Sequence, residues 1–175
     1  MEQLKMYWNN DGTPGVKPVF PEGFTLLTMP ELADGVEQWL DIMQYGLSDK
    51  KEDASFYKTC MLDMPWYEEE KCFFIMHGGK AIASFTVICD PEAKDGLIHM
   101  VGCLPESRGK GVGNMMVAVA DYVLKSEGMQ TARLKTDDWR VPAIKTYLKI
   151  GFQPDLSTED YVQRWDAIYR GIGLK

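Results

Sequence analysis

The stretch "PESRGKGVG", from Pro105 to Gly113, places three glycines and two cations directly before a run that reads as a helix. A helix start leaves its first backbone N–H groups without intrahelical acceptors and carries partial positive charge, so it attracts anions. Gly109, Gly111 and Gly113 have no Cβ to keep a phosphate off the backbone, and Arg108 and Lys110 add charge. A pyrophosphate suits this chemistry; the plain structural alternative is a strand-to-helix turn with incidental glycines. Two other phosphate loops do not match. A Walker loop follows Gly-Lys with Ser or Thr, whereas Lys110 is followed by Gly111, and a dinucleotide fingerprint reads G-x-G-x-x-G, whereas these glycines read G-x-G-x-G.

The elements around the loop follow from periodicity and turn residues. Residues 1–23 are crowded with Gly, Pro, Asn and Asp and read as an irregular N-terminal arm. "FTLLTM" reads as a short strand, and Leu32, Val36, Trp39, Leu40 and Met43 recur at helical spacing. A second helix is expected over Ala54 to Leu62. "KCFFIMH" and "KAIASFTVIC" read as strands joined by a Gly78-Gly79 hairpin, and "GLIHMVGCL" as the strand that feeds the glycine loop. After the loop, Val112, Met115, Met116, Val119, Ala120, Val123 and Leu124 mark one face of a helix that stops at Gly128. "TARLKT" reads as a further strand. Pro142 opens a helix to Ile150 with Gly151 as its stop, and Phe152 begins another strand. Ser157 with Asp160 resembles a capping box for a C-terminal helix over 157–171. This order predicts an α/β chain with a central mixed, mostly antiparallel sheet and helices on both faces.

The 175 residues suit a single domain, and 45% hydrophobic with 26% charged residues is ordinary globular composition. A formal charge of −7 argues against nucleic acid and acidic membranes as partners, and suits a small-molecule or basic substrate. No signal pattern and no apolar run near the roughly 20 residues of a membrane span is present, which predicts a cytoplasmic protein. Cys60, Cys72, Cys89 and Cys103 form no C-x-x-C pair, so they read as reduced, mostly buried thiols, and no metal is expected.

"CLPESRGKGVG" resembles the acyl-CoA-binding signature R-x-x-G-x-G of the GCN5-related N-acetyltransferase (GNAT) superfamily, and "AIKTYLKIGF", from Ala143 to Phe152, is similar to that family's A-I-x-x-Y-x-K-x-G-F segment. The two blocks lie one helix and one strand apart, as in the family, and together span about a third of the chain. The resemblance implies acetyl-CoA or a related acyl-CoA as co-substrate, its pyrophosphate held by Arg108, Gly109, Lys110, Gly111, Val112 and Gly113. It implies that the strand before the loop splays from its neighbour, so that the backbone of Val101 and Cys103 meets the pantetheine arm and thioester carbonyl. It also assigns Tyr147 to the leaving sulfur, with a core tyrosine beside Ile144 and Leu148 as the alternative. One departure is Arg140, where many members carry an asparagine that contacts the cofactor; here an arginine would meet CoA or face solvent.

His99 sits four residues before Cys103, and strict alternation would place both on one face, directed to the cleft. An imidazole there would act as base toward the acceptor ammonium or be merely hydrogen-bonded. A covalent acyl-Cys103 route has a small apolar strand residue as its alternative. Glu68, Glu69 and Glu70 would attract a cationic amine or form a solvated face, and Trp66 and Tyr67 would line a pocket or pack. The expected function is acetyl transfer to a small-molecule or peptide amine by a monomer or homodimer. The runner-up is a non-catalytic acyl-CoA-binding or sensing module.

Overall fold

A computed structural model describes residues 2–48 and 50–173. The chain runs β1 (Leu4–Asn9), β2 (Phe24–Thr28), α1 (Gly35–Met43), α2 (Ala54–Tyr57), β3 (Cys72–His77), β4 (Lys80–Asp90), β5 (Asp95–Cys103), α3 (Val112–Ser126), β6 (Thr131–Thr136), α4 (Val141–Lys149), β7 (Gln153–Pro154) and α5 (Glu159–Ile172). The strands form one sheet in the order β2-β3-β4-β5-β6-β1-β7. Every pairing is antiparallel except the parallel β5–β6 step. Among the described residues no helix is long and apolar enough to cross a membrane.

Apolar faces explain the layering. Val112, Met116, Val119, Ala120, Val123 and Leu124 of α3 join Ile144 and Tyr147 of α4 and Trp165 of α5 in one core against the sheet. Trp39, Ile42 and Met43 of α1 and Tyr57 of α2 build a second core with Phe74 and Met76 of β3. Alternation explains why β3 serves both cores: Phe73 and Ile75 point to the first, Phe74 and Met76 to the second. Gly78 and Gly79, at φ +58° and +78°, close the β3–β4 hairpin between His77 and Lys80 as expected.

Three expectations need correction. The N-terminal arm is irregular only after β1: Leu4, Met6 and Trp8 are buried while Lys5, Tyr7 and Asn9 point away from that core. This short alternation is stabilised by non-local ladders to β6 and β7, which the Gly- and Pro-rich residues that follow do not foreshadow. The helix expected over Ala54 to Leu62 changes character after Tyr57: Lys58–Leu62 form a wide turn in which the Asp63 N–H reaches back to the Lys58 carbonyl at 2.9 Å. At the C-terminus the cap is Thr158, whose hydroxyl accepts from the Tyr161 N–H at 3.1 Å, while the Ser157 N–H donates to Asp155.

Candidate functional site

The parallel ladder between β5 and β6 runs only from Asp95–Leu97 against Thr131–Arg133. Beyond it the two strands part, and the reason lies on the other edge of β5. Thr86 pairs with His99 and Ser84 with Gly102, so Phe85 alone faces both Met100 and Val101. That extra residue is a β-bulge, and Met100 carries it at φ +49°, in the left-handed region that non-glycine residues rarely adopt. Bulges bend their strand and re-aim side chains next to active sites. Here the opening strands form the walls of a cavity of about 600 Å³, with Leu97 to Val101 on one side and Arg133 to Thr136 on the other.

The bulge also corrects the expected placement of His99. Ile98 and Val101 both line one space with Phe85, Met116 and Tyr147, although they are three positions apart and strict alternation would put them on opposite faces. Parity therefore flips at Met100: Cys103 stays with the core under α3, and His99 lies on the opposite face, toward α2. His99 Nε2 lies 2.8 Å from the Cys60 carbonyl. A carbonyl only accepts, so Nε2 carries the proton and Nδ1 remains the basic nitrogen. The Cys60 carbonyl is available because the residue that the wide turn would supply as donor is Pro65, which has no N–H. Burial lowers the imidazole pKa, with the Cys60 contact opposing, so the ring is neutral at neutral pH. It lines the cavity from its new face.

Along the other edge of β5, the Leu104 N–H donates to the Ile82 carbonyl at 2.9 Å. Successive strand amides point to opposite sides, so the backbone of Val101 and Cys103 points away from β4, into the gap left by β6. The Cys103 thiol donates to the Leu104 carbonyl at 3.4 Å, and burial raises its pKa, which keeps it protonated and a poor nucleophile. Cys72 and Cys89 are buried, whereas Cys60 and Cys103 are half-buried, so burial of the thiols is less complete than expected.

At the end of β5, Arg108 to Gly111 form the turn into α3. Among the described residues, the amides of Gly109, Lys110, Gly111, Val112 and Gly113 donate to no protein acceptor. Five consecutive free amides at the positive end of a long helix make an anion cradle. The glycines have different reasons. Gly111 is the residue before α3 and lies at φ +80°, where a side chain would be strained although it would meet nothing within 4 Å. Gly113 is set by packing, since a Cβ there would lie 3.2 Å from Thr146 Cγ2 of α4.

Tyr147, on α4, is 5% exposed and reaches the cavity wall. Burial pushes its pKa up to about 12, with Arg140 opposing, and no hydrogen bond from a described residue engages its hydroxyl. Thr136 is a site residue that sequence patterning did not single out. It is 2% exposed, lines the cavity, and its hydroxyl has no partner among the described residues. A buried hydroxyl without a partner is costly, so a polar group of a ligand is the expected one. Its role depends on burial of the hydroxyl, which only the folded chain produces.

Arg140 neither faces solvent nor stands free for a cofactor. It pairs with Asp137 at 2.9 Å, stacks on Trp139, and donates to the Gly46 carbonyl. Arg108 donates to the neighbouring Tyr45 carbonyl at 3.1 Å, so two arginines from distant parts of the chain tie down the loop after α1. Glu68, Glu69 and Glu70 lie in the turn before β3 and none lines the cavity; nor do Trp66 or Tyr67. The Tyr67 hydroxyl instead meets that of Tyr57 at 2.7 Å.

Comparisons with known proteins bear on the family and the fold. A family model described as "Acetyltransferase (GNAT) family" matches residues 36–152. A mycothiol acetyltransferase from Streptomyces griseus is 27% identical over 139 residues, covering 78% of this chain and 45% of that protein. One from Thermobispora bispora is 28% identical over 168 residues, covering 90% and 53%. The chain thus spans about half the length of the curated relatives it matches. Among solved structures, a GCN5-related N-acetyltransferase from Sphaerobacter thermophilus superposes with a TM-score of 0.69 at 17% identity, over 89% of this chain and 50% of that one. The ribosomal-protein-S18-alanine N-acetyltransferase from Escherichia coli gives 0.58 at 15% identity, over 74% and 77%. At these identities the structural likeness speaks for the fold.

Proposed function

The chain belongs to the acetyltransferase (GNAT) family, and from that premise we propose that it transfers an acetyl group from acetyl-CoA to the primary amine of a small molecule or peptide, by direct attack in a ternary complex. The observation that carries this reading is three features joined along β5 and the turn after it: free amides from Gly109 to Gly113, a stretch at Val101 and Cys103 beyond the end of the ladder to β6, and a cavity wall bearing Val101 and Tyr147. Acetyl-CoA supplies the activated acetyl thioester. The loop amides and Lys110 hold the pyrophosphate. The edge amides of β5 align the pantetheine arm and face the thioester oxygen, where negative charge grows. Thr136 offers its orphan hydroxyl within the same cavity.

Tyr147 donates a hydrogen bond to the departing sulfur. A phenol near 12 is roughly three and a half pKa units weaker as an acid than a thiol near 8.5, so stabilisation of the thiolate by hydrogen bonding wins over complete proton transfer. His99 Nδ1 takes the acceptor's ammonium proton, directly or through water. Because its pKa is lowered, the accepting form persists to more acid pH than for a free imidazole. Turnover should therefore hold to a lower pH than a free imidazole would allow. In His99→Gln it should instead climb with pH as the amine deprotonates unaided. Superimposable pH profiles would remove His99 from the reaction.

Calorimetric titration with acetyl-CoA, against ATP and NAD, tests the whole reading. Selective binding of acetyl-CoA is the expected result. A folded protein that binds none of the three, or all alike, overturns it.

A further inference from the structure

On a chain of formal charge −7, the ionisable side chains lining the cavity besides His99 and the two tyrosines are all cationic: Lys5, Arg133, Lys135 and Arg140, with no carboxylate among them. Three of the four charges are answered from outside the lining. Lys5 pairs with Glu2 at 3.1 Å, Arg133 with Asp95, and Arg140 with Asp137 at 2.9 Å. Lys135 makes no ion pair among the described residues; the carboxylate its charge acts on is Glu2, already held by Lys5, so two lysines share one carboxylate at the wall.

The sheet register makes that charge more unusual. Lys135 of β6 stands directly across from Lys5 of β1, and Arg133 across from Tyr7. Like charges facing each other across an antiparallel pair weaken it, and an anion lying over them relieves the repulsion. Arg133 and Lys135 alternate with Ala132, Leu134 and Thr136, which are buried, so the cations share the open sheet face while the Thr136 hydroxyl belongs to the other. Tyr7, exposed on the same face, supplies an apolar floor beside the cations.

We propose that the acceptor is a small amine carrying one carboxylate, received by Lys135 on the open face of β6 and β1. This inference deepens the acetyl-transfer reading and rests on it. The protein's overall charge repels anions at long range, so the local cation acts as a selective contact rather than a general attraction. A neutral amine leaves Lys135 without an ion pair, and a cationic polyamine meets like charge.

The test titrates CoA-saturated protein calorimetrically with amino carboxylates of increasing length, from glycine to aminohexanoate, and with alkylamines of matching length. At least one amino carboxylate should bind about tenfold or more tightly than its matched amine, the scale of one charge-assisted contact. Lys135→Glu should erase the preference, and Lys135→Arg should keep it. The first variant places a carboxylate opposite Lys5, so its thermal midpoint should hold or rise, which separates loss of binding from loss of fold. Equal affinities, binding by no member of the panel, or a preference that survives Lys135→Glu overturns the inference. Failure of CoA itself to bind overturns the acetyl-transfer reading instead, so the two failures are distinct.

Discussion

Tyr147→Phe should lower kcat by roughly 10- to 100-fold, while the affinity for acetyl-CoA stays within about a factor of two. The size follows from the interaction removed. A hydrogen bond to a charged group contributes about 1.5–3 kcal/mol, and about 1.4 kcal/mol is a factor of ten in rate. The hydroxyl forms no hydrogen bond to a described residue, so its removal breaks no such contact, and the ring keeps its packing against Phe152. Stability should change little, which makes the rate effect attributable to the departing sulfur. Because burial holds the phenol pKa near 12, the defect should be constant from neutral pH to about pH 9. Steady-state kinetics with a calorimetric cofactor titration would decide it, and unchanged turnover would return Tyr147 to the role of a core tyrosine.

Gly111→Val should weaken acetyl-CoA binding about 10- to 100-fold. At φ +80° a β-branched side chain costs about 1–2 kcal/mol or more, and relaxation of the turn would rotate amides of the Gly109 to Gly113 cradle away from the pyrophosphate. Losing one charge-assisted contact accounts for the expected loss of affinity. Most of α3 lies beyond the perturbed turn and is held by Met116, Val119, Ala120 and Val123 in the core, so the protein should remain folded with a modestly lower thermal midpoint. Native affinity in a folded Gly111→Val protein would mean that these amides do not hold the cofactor.

The sequence by itself determined the elements whose cause is local. Glycines at φ +58° and +78° make the β3–β4 turn, Pro142 opens α4, and apolar spacing writes the buried face of α3. The glycine loop and the Tyr147 segment are contiguous motifs, so their residues and order were legible together with the family they resemble. Tertiary structure decided what depends on partners distant in the chain. β1 exists because β6 and β7 supply its ladders, although its neighbouring residues favour turns. His99 changed faces because one extra residue opposite Phe85 reverses side-chain parity, and alternation read from sequence has no term for a bulge. Arg140 left the cofactor's list of contacts because the Gly46 carbonyl, 94 residues away in sequence, took its guanidinium. Thr136 and Lys135 came to line the cavity only when β5 and β6 parted around them, since an orphan hydroxyl and a lysine without an ion pair are properties of an arrangement rather than of a residue.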